Sequence, residues 1–91
     1  MKNFYVTYRF PDPKDRETFL NEVKEAAEIS RGEQGCLKYE YYYPVDDEYR
    51  LLLWEQWETE EDQIRHTKQS HFLTIIVVKE KYGAETDVIK V

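Results

Sequence analysis

From Tyr49 to Trp57 the chain runs Leu51, Leu53, Glu55 and Trp57 in alternation with Leu52, Trp54 and Gln56. An extended strand with this pattern is largely apolar on both faces, and such a strand has to be covered on both sides. With 91 residues the chain has room for one domain and one core, spanning residues 1–91. Its own helices can cover one side of the sheet; the other needs a partner. Eight tyrosines, four phenylalanines and two tryptophans are also more ring surface than a monomer of this size hides. The expectation is a homodimer.

The remaining elements follow from periodicity. Phe4, Val6, Tyr8 and Phe10 alternate with Tyr5, Thr7 and Arg9, which predicts a first strand closed by Pro11-Asp12-Pro13. Asp12 followed by Pro13 reads as a helix start. Phe19, Leu20, Val23, Ala26, Ala27 and Ser30 then keep helical spacing, so a helix is expected from about Pro13 to Arg31, broken by Gly32 and Gly35. Cys36 to Tyr43 alternates again, with Leu37, Tyr39, Tyr41 and Tyr43 on one face. The turn Pro44 to Glu48 joins it to the Tyr49–Trp57 strand. Thr59 caps a short helix with Glu60, Glu61 and Asp62 just inside it. Ser70 is expected to cap a last helix from His71 to about Lys81, ended by Gly83. Thr74–Val78 is β-branched throughout and also fits a buried strand, but Glu80, Lys81 and Gly83 read as a helix end and the helix is kept. Val88, Ile89 and Val91 close the chain as a short strand. The order β-α-β-β-α-β is the ferredoxin-like arrangement of the α+β class, an antiparallel sheet with helices on one face.

Composition excludes several partners. The net charge is −6, and lysines and arginines are scattered beside acidic residues, so the clustered cations that nucleic acid requires are missing. The longest fully apolar run, Ile75–Val78, is far too short to span a bilayer. One cysteine cannot form an intrachain disulfide, and the N-terminus soon meets charge, as no signal peptide does; a cytoplasmic location is expected.

The chemistry-bearing residues lie late in the chain. His66 and His71 follow two strands dense in rings, and aromatic walls around a group that titrates near neutrality suit a flat organic molecule. Trp54, Trp57, Phe72 and Tyr41 are candidate walls. If the Leu51–Trp57 face looks inward, Glu55 lies among apolar side chains, either as an acid/base with a raised pKa or, the favoured reading, paired with a lysine or arginine. His71, close to a helix start, is disfavoured as a cation by the dipole; it either contacts a substrate oxygen or packs beside Phe72. Cys36 has no activating base nearby in sequence. On one continuous helix His66 and His71 are roughly 140° apart, and no third ligand stands at helical spacing, so no metal is expected.

Glu33-x-Gly35-Cys36-Leu37-x-Tyr39, then Glu55-x-Trp57, then His66-x4-His71-Phe72 resembles the antibiotic biosynthesis monooxygenase family, the quinol monooxygenase group of dimeric α+β barrel proteins. The resemblance runs from the first strand to Phe72. It implies two ferredoxin-like chains whose sheets pack into a shared barrel, each with a pocket between sheet and helices, and it favours a helix for residues 73–81. The family includes cofactor-free oxygenases of phenols and quinols, haem-degrading monooxygenases, and an isomerase of a phosphorylated sugar derivative. Haem-degrading members carry an Asn in the first strand, a Trp at the position of His66 and a ligating His in the last helix; here stand Thr7, His66 and no histidine between Leu73 and Lys81. The resemblance therefore implies a monooxygenase acting on a small phenolic, quinol or enolisable compound with O2 and no cofactor, with His66 as general base. A dimeric binding or stress-related domain without turnover, and a cofactor-free isomerase of a sugar-derived ketone, are the alternatives.

Overall fold

The computed structural model describes all 91 residues. The elements are β1 (Lys2–Arg9), α1 (Lys14–Arg31), β2 (Cys36–Tyr42), β3 (Arg50–Trp57), α2 (Glu60–His66), α3 (Ser70–Lys81) and β4 (Glu85–Lys90). The four strands form one antiparallel sheet in the order β2-β3-β1-β4. This is the ferredoxin-like topology that the alternation patterns predict.

Strand register divides the side chains between two faces. Phe4 stands opposite Glu55, Val6 opposite Leu53 and Tyr8 opposite Leu51, while Tyr39 and Tyr41 of β2 stand opposite Glu55 and Leu53. This face meets the helices. Phe4, Val6, Tyr8, Tyr39, Leu51, Leu53 and Trp57 pack there with Phe19, Val23, Ala26 and Ala27 of α1 and Ile75 and Val78 of α3 in one core. β3 alternates buried and half-buried along its whole length, so the inward face is the one bearing Leu51, Leu53, Glu55 and Trp57.

The opposite face is uncovered within the chain and less apolar than expected. Tyr5 stacks on Trp54 at 5.8 Å, the Lys38 ammonium lies 4.4 Å over the Trp54 ring, and Asn3 Oδ1 accepts from both Trp54 Nε1 (2.9 Å) and Gln56 Nε2 (3.1 Å). Polar groups thus tie down the rings that the helices leave uncovered.

Three local expectations change, and the expected helix over residues 73–81 is met. The Asp12 carboxylate does accept from Lys14 N–H at 2.9 Å, but helical backbone begins one residue later, with Pro13 at the cap position. The last helix starts at Ser70 itself, with Gln69 in extended backbone at its cap and no side-chain bond there. Residues 73–81 are helical: Ile75 and Val78 sit on one face and reach the core, and tertiary burial outweighs the strand preference of their β-branched neighbours. In β2 an irregularity between Cys36 and Lys38 takes Leu37 out of the alternation, so Cys36 faces Trp57 across the ladder and Leu37 is exposed.

Gly35 fixes how the loop before β2 meets α2. Its φ is +82°, and a Cβ there would fall inside the Asp62 carboxylate. Its carbonyl accepts from Glu58 N–H at 2.8 Å. Asp62 is held in turn by Thr59 and by Arg65, 2.8 Å away. Only a residue without a side chain admits this approach. Gly35→Ala is expected to cost roughly 3 kcal/mol in urea unfolding, from a left-handed backbone and a steric clash together. Gly32→Ala, at φ −89° with nothing closer than 3.6 Å to the added carbon, is the control that stays near wild type.

Candidate active site

Three elements converge on one carboxylate. The loop between α1 and β2 carries Glu33, the end of α2 carries His66, and the first turn of α3 carries His71. Glu33 Oε2 lies 2.6 Å from His66 Nδ1, and Glu33 Oε1 lies 2.8 Å from His71 Nε2. The two imidazole centroids are 5.7 Å apart. The helices bring them together because they are not continuous. Thr67–Gln69 form a turn, and Gln69 at φ −86°, ψ 152° restarts the helix on a new axis. Phase arithmetic on one helix therefore does not apply, and the third member comes from a distant loop, which helical spacing could not reveal.

His66 is 1% exposed, and rings pack against it on several sides: Trp57 at 5.0 Å, Phe72 edge-on at 5.2 Å and Tyr39 edge-on at 5.6 Å. Its Nδ1 is committed to Glu33, while its Nε2 is buried and has no hydrogen-bond partner. With the Glu33 carboxylate accepting from Nδ1–H, the neutral tautomer leaves a free lone pair on Nε2. Burial lowers the His66 pKa below its ordinary value, against the opposing attraction of Glu33, and the neighbouring His71 pushes the same way as burial. The neutral, proton-accepting form is thereby favoured.

Glu55 is buried on the same face, and the expected lysine or arginine partner is absent. Its one hydrogen bond comes from Trp57 Nε1 at 3.1 Å, the same indole that lies against His66. Desolvation pushes its carboxyl up to about 7, opposed by the Trp57 bond and reinforced by the charge of Glu33. Burial likewise raises the hydroxyls of Tyr39 and Tyr41, which stay protonated, and the Cys36 thiol, pushed up to about 11.

The other sequence candidates fall in different places. Trp57, Phe72 and Glu55 belong to the His66 cluster, Tyr41 stands beside Tyr39 at 6.0 Å, and Trp54 is on the opposite sheet face, away from both histidines. Glu33 is the residue that side-chain periodicity overlooked; its place at the head of the Glu33-x-Gly35 motif was the available signal. Among these rings His66 Nε2 is shielded from solvent. The opening that reaches the cluster is a polar groove of about 190 Å³ lined by Glu33, Gln34, Asp62, Arg65, His66 and Gln69.

The family described as antibiotic biosynthesis monooxygenase matches residues 4–77. The chain belongs to that family. It is 30% identical over 79 residues to "Putative monooxygenase YcnE" of Bacillus subtilis (strain 168), covering 86% of this chain and 83% of that protein. The crystal structure of a "putative antibiotic biosynthesis monooxygenase" from Deinococcus radiodurans superposes with a TM-score of 0.90 at 15% identity, over 100% of this chain and 90% of the other. A possible oxidoreductase from Bacteroides thetaiotaomicron VPI-5482 gives 0.88 at 23% identity, over 99% and 94%. At such identities the two structures speak to the fold alone. No helix of the chain is long and apolar enough to cross a membrane.

Glu55 makes a sharp pH prediction. Folding raises its carboxyl from 4.5 to about 7, so its contribution to stability is intact below the unfolded value and is lost as pH rises through about 7. Between about pH 4 and about pH 9 wild type should lose roughly 3 kcal/mol relative to Glu55→Gln, which keeps an acceptor for Trp57 and cannot ionise. Urea titrations of both proteins across that range measure the difference.

Proposed function

We propose that the protein is a cofactor-independent monooxygenase in which His66 Nε2 takes a proton from a small phenol, quinol or enolisable substrate. The observation that carries this reading is the buried Nε2 without a partner on a ring whose other nitrogen is fixed by Glu33. Deprotonation leaves an electron-rich anion, which can pass an electron to O2 and then combine with it without a metal or flavin. Trp57 and Phe72 flank the base and exclude water from it. Glu33 acts through His66 by holding the tautomer and balancing the imidazolium that forms.

The test is oxygen uptake over a panel of quinols and phenols. Wild type is expected to turn over at least one of them, His66→Ala to lose about a hundredfold or more, within the range a positioned base contributes, and Glu33→Gln to fall between the two. Equal rates in wild type and His66→Ala refute the base.

One observation favours a second reading. No apolar side chain lines the groove at the cluster, which suits a hydroxylated, sugar-derived ketone better than a flat ring. The same base would then move a proton between adjacent carbons and need no oxygen. Undiminished turnover under anaerobic conditions would select this isomerase.

The functional unit in this reading is a cytoplasmic homodimer in which the uncovered sheet faces meet. Half-exposed Tyr5 and Tyr42 on that face support it, and a dimer would give Leu52 and Trp54 a second cover. Sedimentation equilibrium at micromolar concentration should return twice the 11.1 kDa chain mass. Tyr5→Glu, which puts a charge among these rings, should shift the protein towards monomer.

A further inference from the structure

We propose that Glu33, His66 and His71 form a binding site for one divalent transition-metal ion of the zinc class, with Glu33 carboxylate oxygen, His66 Nδ1 and His71 Nε2 as ligands. These atoms lie within 4.8 Å of one another. Ligands about 2 Å from a tetrahedral ion stand about 3.3 Å apart. The Oε2–His66 Nδ1 contact of 2.6 Å and the Oε1–His71 Nε2 contact of 2.8 Å are each shorter than this spacing, by about 0.5 to 0.7 Å, and no ligand pair is further apart than 4.8 Å, so small side-chain shifts admit an ion.

The His71 contact distinguishes an ion site from a plain hydrogen-bonded triad. His71 Nε2 and Glu33 Oε1 are 2.8 Å apart, yet both are buried and neither has a hydrogen-bond partner. The direction in which the ring nitrogen offers its proton or lone pair misses the oxygen. Ligands of a shared ion point at the ion and not at each other, so a close pair that fails to bond is what such a site looks like when the groups have closed together.

Charge and access agree. Glu33 has no lysine or arginine partner; its only ion-pair neighbours are the two imidazoles. Arg65, the nearest cation on α2, is occupied by Asp62 at 2.8 Å. The polar groove beside Glu33 and His66 gives an entry path and room for a water. Two imidazoles and one carboxylate suit zinc, cobalt or nickel better than magnesium or calcium, and three protein ligands leave the fourth position open.

The ion and the proposed base exclude each other. Metal on Nδ1 leaves the ring proton on Nε2, the atom that would abstract a proton from substrate. Zinc should then inhibit any turnover, and chelation should restore it.

The experiment is a titration of chelator-stripped protein with Co(II), followed by visible absorption, and with Zn(II) by calorimetry. One equivalent per chain is expected, with the intense absorption of a four-coordinate cobalt site and no comparable heat from Mg(II). Glu33→Gln and His71→Ala, each checked for folding by circular dichroism, should weaken zinc by about a hundredfold or more, beyond the loss of an outer-shell partner. His71→Gln replaces His71→Ala if the smaller side chain unfolds the turn. No cobalt band and no zinc heat at millimolar metal overturn the proposal. So does stoichiometric binding that survives both substitutions, because the ion then lies elsewhere. Neither readout depends on turnover, so an inactive protein that binds cobalt refutes the base and leaves the metal site standing, and an active one that binds none does the reverse.

Discussion

The arrangement depends on how closely the Glu33–Gly35 loop approaches α2. Gly35 has no side chain, so Asp62 comes to lie where one would be, and Asp62 is itself fixed by Thr59 and Arg65. That contact sets the position of Glu33, two residues upstream. Glu33 then determines which nitrogen of His66 carries the proton, and its other oxygen lies 2.8 Å from His71. Nothing in this chain of causes requires a large energy. It requires three elements to meet within a few tenths of an ångström, and the packed core beneath them supplies that rigidity.

The fold was legible in the sequence because its signals are periodic and redundant. Alternation in β1 and β3 names the buried face residue by residue, and the topology follows from element order. The site was only half legible. His66 and His71 stand out as the chain's two imidazoles, but whether Glu55 is buried hangs on which face of β3 looks inward, which alternation alone does not decide, and its partner is an indole N–H where a cation is expected. Glu33 was hidden because its contact spans a large sequence separation, and periodicity reports only on neighbours within an element. Trp54 and Trp57 are both candidate walls by ring chemistry, but the two-residue pleat puts them on opposite faces, and only Trp57 reaches the histidines.

The rings around His66 shield its Nε2 from solvent. Trp57, Phe72 and Tyr39 close directly on the imidazole, so a ligand that reaches Nε2 has to displace a ring. Phe72 is the movable one by position, half-buried in the first turn of α3, whereas Trp57 and Tyr39 are buried in strands. Glu55 and His66 respond to burial in opposite senses in pH. The carboxyl favours acid and the imidazole favours alkali, and Trp57 touches both.

The turn Thr67–Gln69 carries a constraint of its own. Each residue of helix rotates the chain by about 100°. A single insertion or deletion in that short bridge would therefore swing the second imidazole off the shared carboxylate while leaving both helices, the sheet and the core intact. The distance between the histidines along the chain behaves as a fixed quantity, in the way that the identity of a ligand does, although no residue of the bridge touches Glu33 through a hydrogen bond.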